Sequence, residues 1–340
     1  MKSLSTIDAV KKYDWPYHRT KVCEITLHYK CNIKCVFCYS SPELDEWKNK
    51  SPMPVSKVFR DLTASYKNGS RIVQFIGGEP TIYPELDKAV IFARKKGYKV
   101  IQIVTNGQKM ADPIFAERIK KAGLNSASFS IHHIIPQKHD ETVQTHGAFK
   151  NTIKGIENAI KNEIYVTANI AITALNYKRI PDMVKFLYDN YGIESYSLIA
   201  AHFIGIADKN SYKLKVSYSD IVPYVLKTIS FLESKNILPV SPILSNFVPC
   251  VIEGCENIIS DWQIPFNDDD LYLPEKSYKN SMYLHITNTL RMKTDKCKKC
   301  LYFNLCAGFE KSYYKIFGDK EFKPIKTIRK PVAISPFYKH

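Results

Sequence analysis

The feature that most constrains the fold of this 340-residue chain is a repeated alternation of short apolar segments with amphipathic ones. Helix-length segments, several ending in Gly or Asn, lie between the apolar segments. Six repeats of strand and helix predict a parallel α/β architecture with right-handed crossovers, in which ligands bind at the carboxyl ends of the strands. The predicted strands, rich in β-branched and aromatic residues, are 22–29, 71–77, 99–105, 126–133, 165–173 and 195–201.

The alternation stops after a last predicted helix at 217–236. Residues 237–296 are rich in Pro, Asn and Asp, so we place a domain boundary near residue 237. The predicted organisation is an N-terminal extension (1–20), a large core domain (21–236) and a smaller C-terminal domain (237–340).

Composition and the N-terminal residues indicate a compartment. The chain starts without an apolar targeting segment, and no run approaches the ~18 apolar residues of a membrane span. We therefore predict a cytoplasmic protein without a membrane partner. In that reducing compartment, the clustered cysteines are expected to bind metal or take part in catalysis rather than form disulfides, and the odd total of nine agrees with this.

The chain is basic, with 49 Lys and Arg against 33 Asp and Glu and a net charge of +16. Residues 291–340 carry much of this excess. A positive surface can attract an anionic substrate, an acidic protein or nucleic acid. A Lys-rich, solvated surface explains the charge equally simply, and we favour it because no RNA-binding signature accompanies the basic residues.

Three cysteines, Cys31, Cys35 and Cys38, lie directly after the first predicted strand. Four thiolates would close a 4Fe–4S cluster, whereas three leave one iron open. A zinc site completed by a fourth ligand from elsewhere is the alternative. IGGEPTIYPE (76–85) closes the second predicted strand, where paired glycines let backbone groups approach a ligand closely.

Together these segments resemble the radical S-adenosylmethionine (SAM) superfamily. C-x3-C-x2-C with an aromatic residue before the third cysteine is similar to its signature, and GGEP is similar to the motif that holds the amino group of the methionine moiety. VTNG (104–107) resembles the region where polar groups approach the SAM ribose, and SFSIHH (128–133) resembles the next strand, where a Ser contacts the cofactor. Turn residues that end strands explain both segments equally well. The cofactor-binding residues that the resemblance implies are Phe37, Gly77, Gly78, Glu79, Pro80, Thr105, Asn106 and Ser130.

The resemblance covers roughly residues 20–235 and implies a partial (β/α)6 barrel. It also implies a chemistry that belongs largely to the cofactor. A reduced cluster donates an electron to SAM, and the resulting 5′-deoxyadenosyl radical abstracts hydrogen from a substrate. An electron donor such as flavodoxin or ferredoxin is the implied partner.

A second cysteine set lies near the C-terminus. Cys297-x2-Cys300-x5-Cys306 resembles the auxiliary-cluster module called SPASM or, in its shorter form, Twitch. The cysteine count favours one auxiliary 4Fe–4S cluster and the Twitch form. We prefer Cys250 over Cys255 as the fourth ligand, because a Pro-Cys ahead of a turn looks like the upstream ligand of similar modules. Structural zinc is the alternative for this set.

Other polar residues carry no assigned chemistry. Cys23, within the first strand, is predicted to be structural. No general acid or base is assigned, because a histidine in an α/β chain is more often structural. The residues considered for that role were His132, His133, His139, Asp140, His146 and His202.

Three enzyme classes follow from these motifs. The first is an oxidoreductase-like enzyme that oxidises or rearranges an unidentified small metabolite; an anionic substrate is one option that the basic charge allows. The second is a maturase that crosslinks or dehydrogenates a ribosomally made peptide. The third modifies a nucleotide or RNA. A protein that uses its cluster only as a structural element or sensor is least favoured, because GGEP has no purpose without a ligand.

Overall fold

The computed structural model describes residues 1–14, 22–41, 43–44, 48–237, 239–262, 271–272 and 290–333. Its strands are β1 Val22–Thr26, β2 Ile72–Ile76, β3 Val100–Thr105, β4 Ser126–Ser130, β5 Tyr165–Ile172, β6 Tyr196–Ala200, β7 Leu244–Ser245, β8 Leu271–Tyr272, β9 Arg291–Met292 and β10 Phe309–Glu310. Its α-helices are α1 Thr6–Tyr13, α2 Val55–Lys67, α3 Leu86–Lys96, α4 Pro113–Ala122, α5 Pro136–Val143, α6 Ala148–Lys161, α7 Ile180–Tyr191, α8 Ile206–Lys209, α9 Ser211–Leu214, α10 Tyr218–Ser234 and α11 Lys311–Phe317.

The main sheet has the order β7-β6-β5-β4-β3-β2-β1-β8, and every pair in it is parallel. It curls into a half-barrel with helices on its outer face. Strands β9 and β10 form a separate antiparallel pair. The predicted α/β fold is thus confirmed, and all six predicted strands are present within three residues of their predicted bounds.

Four strands and five α-helices of the described structure were not predicted. Strands β7 and β8 belong to the region beyond residue 236, yet they pair with β6 and β1 of the main sheet. The other unpredicted elements are strands β9 and β10 and helices α1, α5, α8, α9 and α11. The three-part domain organisation remains a prediction.

Strand alternation separates an outer face from an inner, concave face. In β1, Cys23 and Ile25 are buried in the outer core with Val58 and Leu62 of α2, so Glu24 points to the concave face. Burying each large apolar side chain stabilises the fold by roughly 1.5–3 kcal/mol. The concave face is therefore left for polar side chains and for a ligand.

Helix α1 packs at the amino ends of the strands. Its Ala9 and Val10 form a buried cluster with Ile72, Val100 and Tyr165. Ser5 caps the helix by accepting a hydrogen bond from the Asp8 amide at 3.1 Å. This end of the half-barrel is thus closed by apolar packing.

Residues 290–333 pack against the half-barrel. The Tyr218 amide at the start of α10 donates to the Tyr313 hydroxyl at 2.9 Å, and His202 pairs with the buried Glu310. No helix within the described ranges is long and apolar enough to cross a membrane.

Candidate functional site

The first cysteine loop follows β1 at the carboxyl edge of the sheet. Cys31, Cys35 and Cys38 are half-buried, and none of the nine cysteines forms a disulfide. The Lys34 and Val36 amides anchor the loop by donating to carbonyl groups at the end of α5, at 3.1 and 3.0 Å. The loop therefore has a fixed position at the edge where ligands bind.

The three thiols lie close enough to influence one another. Burial raises the pKa of Cys35 well above its ordinary value, and the neighbouring Cys38 and Cys31 raise it further. Burial likewise raises the pKa of Cys31 to about 11. Buried thiols of this kind ionise readily only when a metal compensates the charge.

The donor set fits an iron–sulfur cluster, because such clusters are held by thiolates. Within the described ranges, no group of three or more His, Cys, Asp and Glu side chains is arranged to hold a single metal ion. The fit to a cluster thus rests on the donor type and on the position of the loop.

Gly77 and Gly78 are required by the protein's own backbone. A Cβ at Gly77 would lie 2.2 Å from the His28 carbonyl oxygen, and one at Gly78 would lie 2.0 Å from that of Lys30. Gly77 also has a φ of +141°, which L side chains rarely adopt. Both glycines therefore let the segment that leads into the cysteine loop pack closely; their predicted approach to a ligand stays a prediction.

Hydrogen bonds lock the two segments together. The Gly78 amide donates to His28 at 2.7 Å, and the Glu79 amide donates to Lys30 at 2.9 Å. No described residue donates to the Gly77 or Gly78 carbonyl. Those two carbonyl oxygens are therefore available to accept hydrogen bonds from a ligand amine.

The Glu79 carboxylate is fully engaged within the protein. It accepts hydrogen bonds from the Thr81 amide and hydroxyl (3.0 and 2.6 Å), the Thr105 hydroxyl (2.7 Å) and the Asn106 amide (2.7 Å). Burial raises the pKa of Glu79, and these hydrogen bonds oppose the rise. Glu79 thus braces the carboxyl ends of β2 and β3.

Asn106 connects this brace to the cysteine loop. Its side-chain nitrogen donates to Asn32 at 2.8 Å and lies 3.7 Å from the Cys31 sulfur. Thr105 accepts a hydrogen bond from the Gly107 amide at 3.0 Å. The structure therefore brings GGEP, Thr105 and Asn106 together beside Cys31.

Phe37 and Ser130 lie on the next part of the edge. The Phe37 ring meets His132 edge-on, with ring centroids 4.6 Å apart. Ser130 ends β4, faces the concave side and pairs in register with Asn169. Pro80 begins a buried 3₁₀ turn after Glu79. All eight predicted cofactor-binding residues thus lie along the carboxyl edge of β1 to β4.

The second cysteine set is also brought together. Burial raises the pKa of Cys250, and Cys306, Cys297 and Cys300 raise it further, in that order. The Gly308 amide donates to the Cys306 sulfur at 3.2 Å, and the Cys300 amide donates to the Cys297 carbonyl at 2.9 Å. These four thiols form a second candidate cluster site.

Cys255 has different neighbours. Burial raises its pKa to about 12, and the charges that act on it come from Glu256 and Glu233 rather than from other cysteines. Cys23 is fully buried in the outer core, and burial raises its pKa to about 12. Neither thiol lies with the two candidate cluster sets.

The predicted acid–base candidates mostly have structural partners. Burial lowers the pKa of His132 to about 3 and that of His139 to about 4, so both rings are neutral. Each accepts a backbone hydrogen bond at 3.3 Å. Asp140 accepts from two backbone amides, and His146 is exposed.

His133 and His202 differ in surroundings. His133 accepts a hydrogen bond from the Ile135 amide at 2.9 Å, and burial lowers its pKa. His202 lies beside Tyr39 at the cysteine loop, with ring centroids 5.9 Å apart, and pairs with Glu310. Burial lowers the pKa of His202, but Glu310 raises it above the ordinary value overall.

Sequence reasoning missed a row of polar side chains on the concave face. We call this set the inner row: Glu24, Gln74, Gln102 and Ser126, which lie side by side in register on β1 to β4. The sequence shows these polar residues at alternating positions of the four strands. Only the strand register shows that the four side chains lie next to one another.

Comparisons with known proteins agree with this geometry. Residues 25–187 match a family model described as the radical SAM superfamily. An Fe-coproporphyrin III synthase of Methanosarcina barkeri is 32% identical over 158 residues, which cover 46% of this chain but only 38% of that protein. A probable GTP 3′,8-cyclase of Sulfurisphaera tokodaii is 26% identical over 282 residues, 82% of this chain and 80% of that protein.

Among solved structures, SuiB of Streptococcus suis bound to S-adenosylmethionine has a TM-score of 0.62 at 16% identity, over 93% of this chain and 79% of that chain. SuiB bound to its precursor peptide SuiA has a TM-score of 0.61 at 17% identity, over 94% and 77%. These likenesses show the fold. The family match identifies residues 25–187 as a radical SAM domain, and this domain makes the chain a radical SAM enzyme.

Proposed function

We propose that this enzyme reductively cleaves SAM at a 4Fe–4S cluster held by Cys31, Cys35 and Cys38 and abstracts hydrogen from a small metabolite bound inside the half-barrel. The observation that carries the proposal is the position of three half-buried thiols beside GGEP and Asn106. A second 4Fe–4S cluster, in a Twitch-like module, is proposed at Cys250, Cys297, Cys300 and Cys306.

Bound together, the cluster and SAM supply one-electron cleavage and a carbon radical. The chain's own residues bind and orient. The Gly77 and Gly78 carbonyls would accept hydrogen bonds from the SAM amino group, and Glu79 would hold their segment in place through its hydrogen bonds with Thr105 and Asn106. Phe37, which contacts His132 edge-on, would offer an aromatic surface to the adenine.

A nucleotide substrate is the second candidate. It is favoured by the 26% identity to the Sulfurisphaera protein, which extends over 82% of this chain. A peptide maturase draws support from the SuiB structure with its precursor peptide. Incubating the reduced enzyme with SAM and GTP and analysing the products by mass spectrometry tests the nucleotide: a cyclised GTP product would replace the small-metabolite proposal.

The main experiment measures iron and SAM cleavage in anaerobically reconstituted protein. We expect about eight irons per chain and slow release of 5′-deoxyadenosine with SAM and a strong reductant. Changing Cys31, Cys35 and Cys38 together to Ala should abolish that release. Undiminished release from the triple variant would refute the assigned site, and four irons with one zinc would refute only the auxiliary cluster.

The fourth auxiliary ligand is tested with two matched variants. Cys250→Ala should lose or destabilise the second cluster, because three thiolates remain. Cys255→Ala should keep near-normal iron, since its neighbours are carboxylates rather than thiols. Iron content and electron paramagnetic resonance of both variants decide between them; loss confined to Cys255→Ala would reverse the assignment.

A further inference from the structure

The concave face of the half-barrel is almost devoid of charge. On β1 to β6, which the model describes in full, the inward positions carry one charged side chain, Glu24. No Lys or Arg occupies these positions. A substrate inside the half-barrel therefore meets a single negative charge there.

The Glu24 carboxylate has no hydrogen-bond or ion-pair partner among the described residues. Burial alone raises its pKa, to about 7. The side chain is half-buried rather than fully enclosed. A carboxylate held away from bulk water without a partner is costly, so a ligand that supplies the partner binds favourably.

Gln74 presents a second acceptor beside Glu24. Its side-chain nitrogen donates to Gln102 at 2.6 Å, and Gln102 donates to Ser126 at 2.9 Å. Each amide of the inner row thus donates to the neighbour farther from Glu24. The Gln74 side-chain carbonyl oxygen accepts no hydrogen bond from the described residues. Because Glu24 and Gln74 are register partners on adjacent strands, their two acceptors are neighbours.

Tyr39 places this pair relative to the cysteine loop. It directly follows Cys38, and both Glu24 and Cys38 raise its pKa beyond the effect of burial. Tyr39 therefore lies near both the cluster loop and Glu24, with 38% of its surface exposed. A substrate held at Glu24 lies on the same side of the sheet as the SAM site.

We infer that Glu24 and Gln74 form a substrate-binding subsite for a cationic nitrogen group, a guanidinium or a primary ammonium. The inference rests on the proposed function, since it places a substrate inside the half-barrel. A guanidinium fits best, because its five donors form a planar fork that can reach a carboxylate and a neighbouring carbonyl together. The phosphates of a nucleotide would meet no cation on these strand faces.

The test is calorimetric binding to the anaerobically reconstituted enzyme with SAM present. Agmatine is the free-metabolite probe, Nα-acetylarginine amide is the peptide side-chain probe, and Nα-acetylcitrulline amide is the neutral isostere. We expect at least one cationic probe to bind roughly tenfold or more tightly than the neutral one, the loss typical of a hydrogen bond to a charged group. Preference for agmatine indicates a metabolite, and preference for the arginine amide indicates a peptide.

Glu24→Gln should weaken binding of the cationic probe by roughly tenfold at pH 8, whereas Glu141→Gln, an exposed carboxylate on α5, should not. Wild-type binding should strengthen about tenfold from pH 6 to pH 8, as Glu24 with a pKa near 7 ionises, and Glu24→Gln should remove that dependence. The described titratable groups coupled to Glu24 are Tyr39 and Cys23, whose raised pKa values keep both neutral in this range.

Absence of binding by both cationic probes, equal binding of the citrulline amide, or unchanged binding in Glu24→Gln would each overturn the subsite. These outcomes are separate from the proposed function. Wild-type enzyme that cleaves SAM but binds no cation contradicts only the subsite, whereas binding without SAM cleavage contradicts the proposed function.

Discussion

Two glutamates at the half-barrel, Glu79 and Glu24, are both removed from bulk water but have opposite surroundings. Four hydrogen bonds from Thr81, Thr105 and Asn106 reach the Glu79 carboxylate. None from the described residues reaches Glu24. A buried polar group needs hydrogen-bond partners. Glu79 has them within the protein and stabilises it, whereas Glu24 can gain a partner only from a bound ligand.

The two glutamates illustrate two different roles, a structural carboxylate and a ligand-binding carboxylate, which a sequence motif does not distinguish. GGEP resembles a SAM-binding motif, yet the Glu79 carboxylate accepts four hydrogen bonds from the protein itself, three at Oε1 and one at Oε2. Glu24 belongs to no motif, but it has the unpaired charge. Partner counting therefore identifies the ligand-facing carboxylate better than motif membership does.

The largest effect is expected for Glu79→Ala. Removing the carboxylate leaves four buried donors without an acceptor, so the free energy of unfolding should fall by about 3–5 kcal/mol. The cysteine loop should also hold iron less well, because Asn106 loses its anchor beside Cys31. Urea unfolding and iron content measure both effects.

Glu141→Ala, at an exposed carboxylate paired only with Lys138, is the control and should change stability by less than about 0.5 kcal/mol. If Glu79→Ala were as stable as the control, the hydrogen bonds that Glu79 accepts would not stabilise the fold, and the contrast between the two glutamates would be wrong.

A smaller effect is expected for Thr105→Val, which keeps the side-chain volume. It removes one donor to Glu79 and the acceptor of the Gly107 amide, so unfolding should become easier by about 1–3 kcal/mol. Thr63→Val in α2 is the matched control, since its hydroxyl bonds only the Phe59 carbonyl of its own helix. A loss as large in Thr63→Val would mean that the brace contributes nothing specific.

Much of the fold was predictable because its signals are local. The six strands carry β-branched residues, and the Cys31–Cys38 loop carries its spacing within eight residues. Strands β7 and β8 were missed because two-residue strands carry no periodicity; pairing with β6 and β1 defines them. Their positions depend on the sheet, which a linear pattern does not contain.

The roles of the two glutamates were not predictable for a similar reason. The donors to Glu79 from Thr105 and Asn106 are 26 and 27 residues away in sequence. In the sequence, Glu24 is simply a polar residue in a strand of alternating polarity. Only the strand register shows that the Gln74 side chain lies beside it. Sequence position identifies the residue type, whereas partners follow from tertiary structure.

The smallest effect has the opposite sign: Glu24→Gln should stabilise the enzyme without substrate at pH 8. Burial raises the pKa of Glu24 from 4.5 to about 7, so the folded state binds the proton more tightly than the unfolded state. Stability from this group is therefore fully present below pH 4.5 and is lost as pH rises to about 7. Because the side chain is half-buried, solvent screening reduces the penalty to about 1–2 kcal/mol.

Glutamine carries no charge and escapes that penalty. Urea unfolding at matched iron content should therefore show equal stability of wild type and Glu24→Gln near pH 4.5, and a more stable variant at pH 8. Glu141→Gln should show no such difference, since its carboxylate is exposed. A Glu24→Gln variant less stable than wild type at pH 8 would mean that the protein itself supplies a partner to Glu24, and the two glutamates would then share one structural role.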